Sequence, residues 1–259
     1  MSAASSASSR EALNARQFGS TAASYVASAV HAGGADLAQM VEIAQPYAGA
    51  KVIDLGCGGG HVSYALAPIM GEVTAYDLSA DMLAAVAAEA QKRGFANVAT
   101  RQGPAEDLPF ADGTFDAVFC RYTTHHWPDV RKGLREARRV LKSGGIAVFS
   151  DVIAPESPVL DTFLQTFEML RDPSHVRNYS AAEWMAITAQ AGFAVTGFTR
   201  RRLPLKFEDW VKRMRTPDVQ VAAIRALHRA VSEEVRRHFE IAENGDFVID
   251  QAVIEMAPL

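Results

Sequence analysis

The chain has 259 residues, a formal net charge of −4, and 22% charged against 49% hydrophobic residues. That is the balance of one globular α/β domain with room for a sizeable core. The negative charge argues against a constitutive nucleic-acid binder, no apolar run reaches membrane-spanning length, and the two cysteines, Cys57 and Cys120, form neither a disulfide framework nor a zinc site, so a reducing cytoplasm is the default.

Residues 1–9 contain only Met, Ser and Ala and read as a disordered tail without a secretory core region. Residues 10–48 read as helices. One stripe is Tyr25, Val26, Ala29 and Val30; a second is Leu37, Met40, Val41 and Ala44, and Gly33-Gly34 divides them. A strand at 51–55 leads through glycines into a helix at 61–70, then a strand at 72–77. Ser79 caps a helix to Lys92, with Asp81 in its first turn and Gly94 as its stop. A short strand at 98–101, a loop at 103–113 and a strand at 115–120 follow. Pro128 opens a helix to Leu141, a turn occupies 142–145, and a strand spans 146–152. Alternation of strand and helix without hairpin signals predicts a doubly wound, mostly parallel sheet.

Beyond Ile153 the rhythm changes. Helical patterns at 156–172 and from Ser180 to Ala191 precede a strand from Phe193 to about Arg201. Residues 207–240 read as helical and basic, and 247–256 as a last strand. The expected organisation is a single domain: a core at 49–155, N-terminal helices at 10–48, and helical insertions at 156–178 and 205–243 that form a cap.

The chemistry centres on Asp54-Leu55-Gly56-Cys57-Gly58-Gly59-Gly60-His61. Strand, glycine turn and helix bring bare backbone and free N–H groups against a ligand. Nineteen residues after Gly58, at the end of the next strand, stands Asp77. Its two-oxygen acceptor suits a ribose diol. A dinucleotide fingerprint would need a glycine where His61 stands, so a phosphate-free adenosine cofactor fits the spacing better than a nicotinamide dinucleotide.

This run resembles motif I of class I S-adenosylmethionine-dependent methyltransferases. The resemblance continues through Tyr76-Asp77-Leu78-Ser79, Gln102 to Phe110, Phe115-Asp116-Ala117-Val118 and Leu141 to Gly145, and is closest in flavour to ubiquinone/menaquinone-biosynthesis C-methyltransferases and their small-molecule relatives. It implies a Rossmann-like, seven-stranded sheet whose last strand is antiparallel, and S-adenosylmethionine as cofactor. It further implies that Asp54, Gly56, Gly58 and Gly60 hold the aminoacid end and Asp77 the ribose. Leu78 and Met82 would flank the adenine, Ala105 and Glu106 meet its edge, and Arg121 lie beside the sulfonium. Pro104 stands where the family often has Asp, which leaves the adenine amino group to Glu106 or backbone.

A sulfonium donor requires positioning of the acceptor, and for a protonated acceptor a base, but no metal. The segment Arg121 to Trp127 follows the fourth strand, at the edge where open α/β sheets bind ligands. His125 or His126 is the candidate base; Tyr25, Trp127 and Arg177 are candidate substrate contacts. The reading is methyl transfer to a small molecule. The alternatives are an RNA or protein methyltransferase, for which Arg200-Arg201-Arg202, Lys206, Lys212, Arg213 and Arg215 supply a basic cluster, and a nicotinamide-dependent oxidoreductase. Oligomeric state is not encoded in these patterns.

Overall fold

The computed structural model describes residues 33–259. The expected Tyr25 stripe, and Tyr25 as a substrate contact, lie outside the described residues. Helix α1 (Ala35–Ala44) leads into β1 (Lys51–Leu55), α2 (His61–Leu66), β2 (Glu72–Asp77), α3 (Ala80–Lys92) and β3 (Val98–Gln102). Strand β4 (Phe115–Arg121), α4 (Val130–Val140) and β5 (Leu141–Ala154) complete the first half. Then come α5 (Pro158–Arg171), the two-residue β6 (Tyr179–Ser180), α6 (Ala181–Gln190) and β7 (Phe193–Leu205). Helices α7 (Phe207–Arg213), α8 (Asp218–Ala230) and α9 (Glu233–Phe239) precede β8 (Phe247–Pro258).

The sheet order is β3-β2-β1-β4-β5-β8-β7, with β6 attached to β5. Strands β1 to β5 pair in parallel, and β8 runs antiparallel to both β5 and β7. The expected seven strands and antiparallel last strand are present; the short β6 makes eight.

Alternation along the strands builds two cores. Ile53, Leu55, Val118, Cys120 and Phe149 join Leu134 of α4 and Trp184 of α6. Val52, Ala117, Phe119 and Val148 join Met40 of α1 and Leu66 of α2 on the other face. Both faces are therefore covered, as a parallel sheet requires. A further core of Phe163, Phe167, Trp210, Ile224 and Phe239 unites α5 and α7–α9 with Val152 of β5 and Ile249 of β8. No helix among the described residues is long and apolar enough to cross a membrane.

Three boundaries differ from the sequence expectation. Helix α2 stops at Leu66 rather than 70, because Pro68 lacks an N–H and its ring crowds the preceding turn. Strand β5 begins at Leu141, which pairs with Phe115 before a register shift, so the 142–145 turn is an irregularity inside the strand. Strand β7 continues to Leu205, since β8 offers a partner along its whole length, from Phe193↔Pro258 to Leu205↔Phe247. The helical 207–240 stretch resolves into three helices: Pro217 opens α8, and the Ser232 hydroxyl accepts the Val235 N–H to start α9.

Candidate active site

A cavity of about 340 Å³ opens at the C-terminal ends of β1, β2, β4 and β5 and reaches under the α5–α7 region. Of the residues singled out in the sequence, Asp54, Gly56, Gly58, Asp77, Leu78, Met82, Ala105, Glu106, Arg121, His125, His126 and Trp127 all line it.

The glycine turn is held from behind. Gly56 and Cys57 both donate their N–H to the Tyr76 carbonyl, at 2.8 and 2.9 Å. Gly56 has φ +73, and a Cβ there would run into the Thr123 side chain. Gly58 has φ +48, but a Cβ there would meet nothing within 4 Å: its bare side faces the cavity. Gly60, also left-handed, lies against the Tyr64 ring and is not among the lining residues, so its part is to let the chain turn into α2.

Two buried acids frame this turn. The Asp77 Oδ2 accepts the Gly58 N–H at 2.8 Å, and its Oδ1 accepts the Ser79 N–H at 2.9 Å. Burial raises its pKa against those two bonds. The helix cap is Ser79, whose hydroxyl accepts the Met82 N–H. Asp54, 1% exposed, accepts both the Ser63 hydroxyl (2.6 Å) and the Ser63 N–H (3.0 Å) on Oδ2. Its Oδ1 is enclosed without a partner. Burial pushes the Asp54 carboxyl up to about 7, against the Ser63 bonds.

Leu78, the buried Met82, Pro104, Ala105 and Glu106 line the cavity as well. The Pro104 carbonyl is taken by the Tyr76 hydroxyl at 3.0 Å, and Glu106 accepts the Asp129 N–H at 3.2 Å.

Arg121 makes a buried, two-pronged pair with Asp36: Nε to Oδ2 at 2.6 Å and an Nη to Oδ1 at 3.0 Å. Asp36 also accepts the Ser150 hydroxyl at 3.2 Å. The Asp36 carboxyl titrates low because Arg121 outweighs the opposing effect of burial, which is the largest single influence. Arg121 thus enters the cavity wall as half of a neutral pair. Asp36 had no signal in the sequence, since an acid in a helix beginning after Gly34 reads as a first-turn charge.

Beyond β4 the chain turns sharply. Tyr122 adopts φ +53, an uncommon conformation for a bulky residue and one that clusters at functional sites. Next comes the short helical turn Thr124–His126. His125 Nδ1 lies 2.6 Å from Asp151 Oδ1, and the Thr124 hydroxyl donates to the other Asp151 oxygen. The Val152 N–H adds a third bond to Asp151 at 2.8 Å. Burial alone would lower the His125 pKa; the Asp151 carboxylate, with Glu168 and Asp172 further off, overrides it and holds the imidazole above its ordinary value. His126 behaves oppositely. Burial and the neighbouring His125 charge bring it down to about 4, and its Nδ1 is 3.2 Å from the Ser174 hydroxyl. Sequence reasoning missed Asp151: within a strand an acid is visible only as an interruption of the apolar pattern.

Arg177 is placed differently from expectation. It is not among the lining residues; its guanidinium is engaged by Asp161 and Glu183, both at 3.0 Å. Two oppositely charged helix residues flank it, so it joins α5 to α6.

A methyltransferase-domain family model matches residues 53–149. The chain is 46% identical to the uncharacterized protein YafE of Escherichia coli over 77% of this chain and 97% of that one. It is 40% identical to the uncharacterized methyltransferase YcgJ of Bacillus subtilis over 89% and 91%. The crystal structure of YcgJ superposes with a TM-score of 0.82 at 37% identity, covering 85% of this chain and 97% of that one. A demethylmenaquinone methyltransferase of Chlorobaculum parvum is 30% identical over 61% and 70%. Fold and site define a Rossmann-like methyltransferase, and the chain belongs to the S-adenosylmethionine-dependent methyltransferase family that these relatives represent.

Proposed function

We propose that this protein transfers a methyl group from S-adenosylmethionine to a small-molecule acceptor by direct in-line displacement. The observation that carries the reading is the pairing, in one cavity, of an adenosine-type cradle with a buried His125–Asp151 couple.

The residues present fit the cofactor. Gly58 leaves open space where any side chain would intrude. The unpartnered Asp54 Oδ1 awaits a donor such as an ammonium group or a water bound to it. Each Asp77 oxygen has accepted one N–H and keeps a lone pair for a ribose hydroxyl. Leu78 and Met82 offer apolar faces to the adenine, with Ala105 and Glu106 at its edge. The Asp36–Arg121 pair removes the repulsion that a lone arginine would exert on a cation.

When bound, the cofactor supplies an activated methyl group on a cationic sulfur. The chain's own work is to orient the acceptor, exclude water and remove a proton. His125 accepts the proton that the acceptor atom gives up, through Nε2, because Nδ1 is committed to Asp151. Asp151 fixes the ring and stabilises the imidazolium that results. His126, at about 4, is too weak a base for this task near neutrality and serves as a neutral hydrogen-bonding wall. Trp127 and the cap helices of 156–178 and 205–243 supply the apolar enclosure.

Charge pairing supports a small acceptor over RNA. Arg200 and Arg202 both pair with Asp250, and Lys206 with Asp246, so the part of the basic cluster carried by these three residues is engaged internally. Kinship to a quinone methyltransferase supports a partly apolar acceptor. The two buried thiols suit a reducing cytoplasm. The test is a screen of acceptors, scored by release of S-adenosylhomocysteine. Turnover on phenolic or enolic small molecules, and none on RNA or protein, is the expected result.

A further inference from the structure

The acceptor half of the cavity contains two polar side chains whose bonding capacity the protein leaves unused. Arg201 sits on β7 between Arg200 and Arg202. Arg200 and Arg202 share Asp250, and Arg202, which also lines the cavity, is further engaged by the His238 carbonyl and Glu240. Arg201 lines the cavity, and among the described residues it has no hydrogen-bond or ion-pair partner; one of its terminal nitrogens is fully enclosed. Asn178, 1% exposed, also lines the cavity, with both side-chain amide atoms enclosed and unpartnered. Buried donors without acceptors are a standing cost that natural structures avoid.

Sheet register places Arg201 relative to the chemistry. Val152, which follows Asp151, is opposite Gln251, and Gln251 is opposite Arg201. Arg201 is therefore two strands away from β5, roughly 10 Å across the sheet at the usual strand spacing. Between the two ends, Val152, Leu203, Ile249 and Trp210 line the same cavity.

We propose that the acceptor is an amphipathic acid: an apolar or aromatic body resting on this floor, with a carboxylate or phosphate received by Arg201 at the end remote from His125 and a polar substituent received by Asn178. The guanidinium fork matches either anion in two-pronged geometry. The proposal rests on the methyltransferase reading above and deepens it.

The test titrates 4-hydroxybenzoate, 3-phenylpropionate and phenyl phosphate, alongside the methyl esters of the first two and phenol, into the intact protein with S-adenosylhomocysteine present. Tryptophan fluorescence is one signal, since Trp127 and Trp210 line the cavity, and calorimetry the other. Expected is binding of at least one anion, tenfold or more tighter than its uncharged counterpart. Affinity for that anion should fall roughly ten- to hundredfold in Arg201→Gln, abolishing the preference, and be partly restored in Arg201→Lys. Whether a carboxylate or the phosphate binds tighter identifies which acid is recognised. Unchanged S-adenosylhomocysteine affinity in both variants certifies their fold. No anion binding, equal affinity for anion and neutral counterpart, or an Arg201→Gln variant that keeps the preference would overturn the proposal while leaving the methyltransferase reading intact. Loss of S-adenosylhomocysteine binding by the unmodified protein would instead count against that reading.

Discussion

His125 and Asp151 come from different segments, 26 residues apart, and meet at 2.6 Å beneath the cavity. The second Asp151 oxygen is taken by Thr124 and its first also by the Val152 N–H. The imidazole is thus held in one orientation with Nδ1 occupied.

If His125 is the base, His125→Gln should lower kcat by about 10²–10⁴ with S-adenosylhomocysteine affinity unchanged. The sign of the pH dependence follows from the raised pKa. The active form is the neutral imidazole, so kcat rises with pH through a value above that of an ordinary histidine. In Asp151→Asn the stabilising carboxylate is gone, and that limb should move to lower pH while the plateau falls. A pH–rate profile in which the limb stays in place would argue against the couple.

Gly56 and Gly58 should respond differently to alanine. Both are left-handed, which costs alanine about 1–2 kcal/mol. At Gly56 the methyl group also collides with Thr123, so Gly56→Ala should show the larger drop in unfolding free energy. Gly58→Ala meets no protein atom within 4 Å and should fold, yet lose S-adenosylhomocysteine affinity. Urea unfolding and calorimetry separate the two outcomes.

Asp36→Ala should destabilise the fold by about 3–5 kcal/mol, because it leaves the Arg121 charge in a buried site without its carboxylate. Chemical unfolding checks the magnitude, and a change under 1 kcal/mol would contradict it.

His228 sits 4% exposed in an aromatic nest that includes Phe163, Phe167, Phe207 and Phe247, with neither ring nitrogen bonded. Burial brings its pKa down to about 4. The unfolded chain takes up a proton near the ordinary 6.5, the folded one only near 4. Stability on this account is therefore intact above 6.5 and is lost as pH falls between those values. His228→Phe should raise Tm at pH 5 more than at pH 8, by about 2–4 °C per kcal/mol recovered. Equal shifts at both pH values would refute this.

The proposed cofactor half was legible as a pattern because its requirements are local. A strand running into Gly56, Gly58 and Gly60, followed by Asp77 closing the next strand, is a pattern of spacing. The acceptor half was not, because its partners are set by tertiary contact. Asp36 reaches Arg121 across 85 residues, Asp151 looks like any interruption of a buried strand, and Arg201 differs from Arg200 and Arg202 only through the alternation of β7. The pairing of Arg177 with Asp161 was hidden for the same reason: nothing near Arg177 in sequence reveals that Asp161 is within reach.

If the bend at Gly58 and the carboxylate of Asp77 together grip a sulfur-bearing nucleoside, calorimetry of the intact protein with S-adenosylhomocysteine reads that grip without any acceptor. The account predicts single-site binding, weakened tenfold or more in Asp77→Ala, and no heat with NADH. Silence toward S-adenosylmethionine and S-adenosylhomocysteine alike, or an Asp77→Ala variant that binds as tightly as the parent, would contradict it.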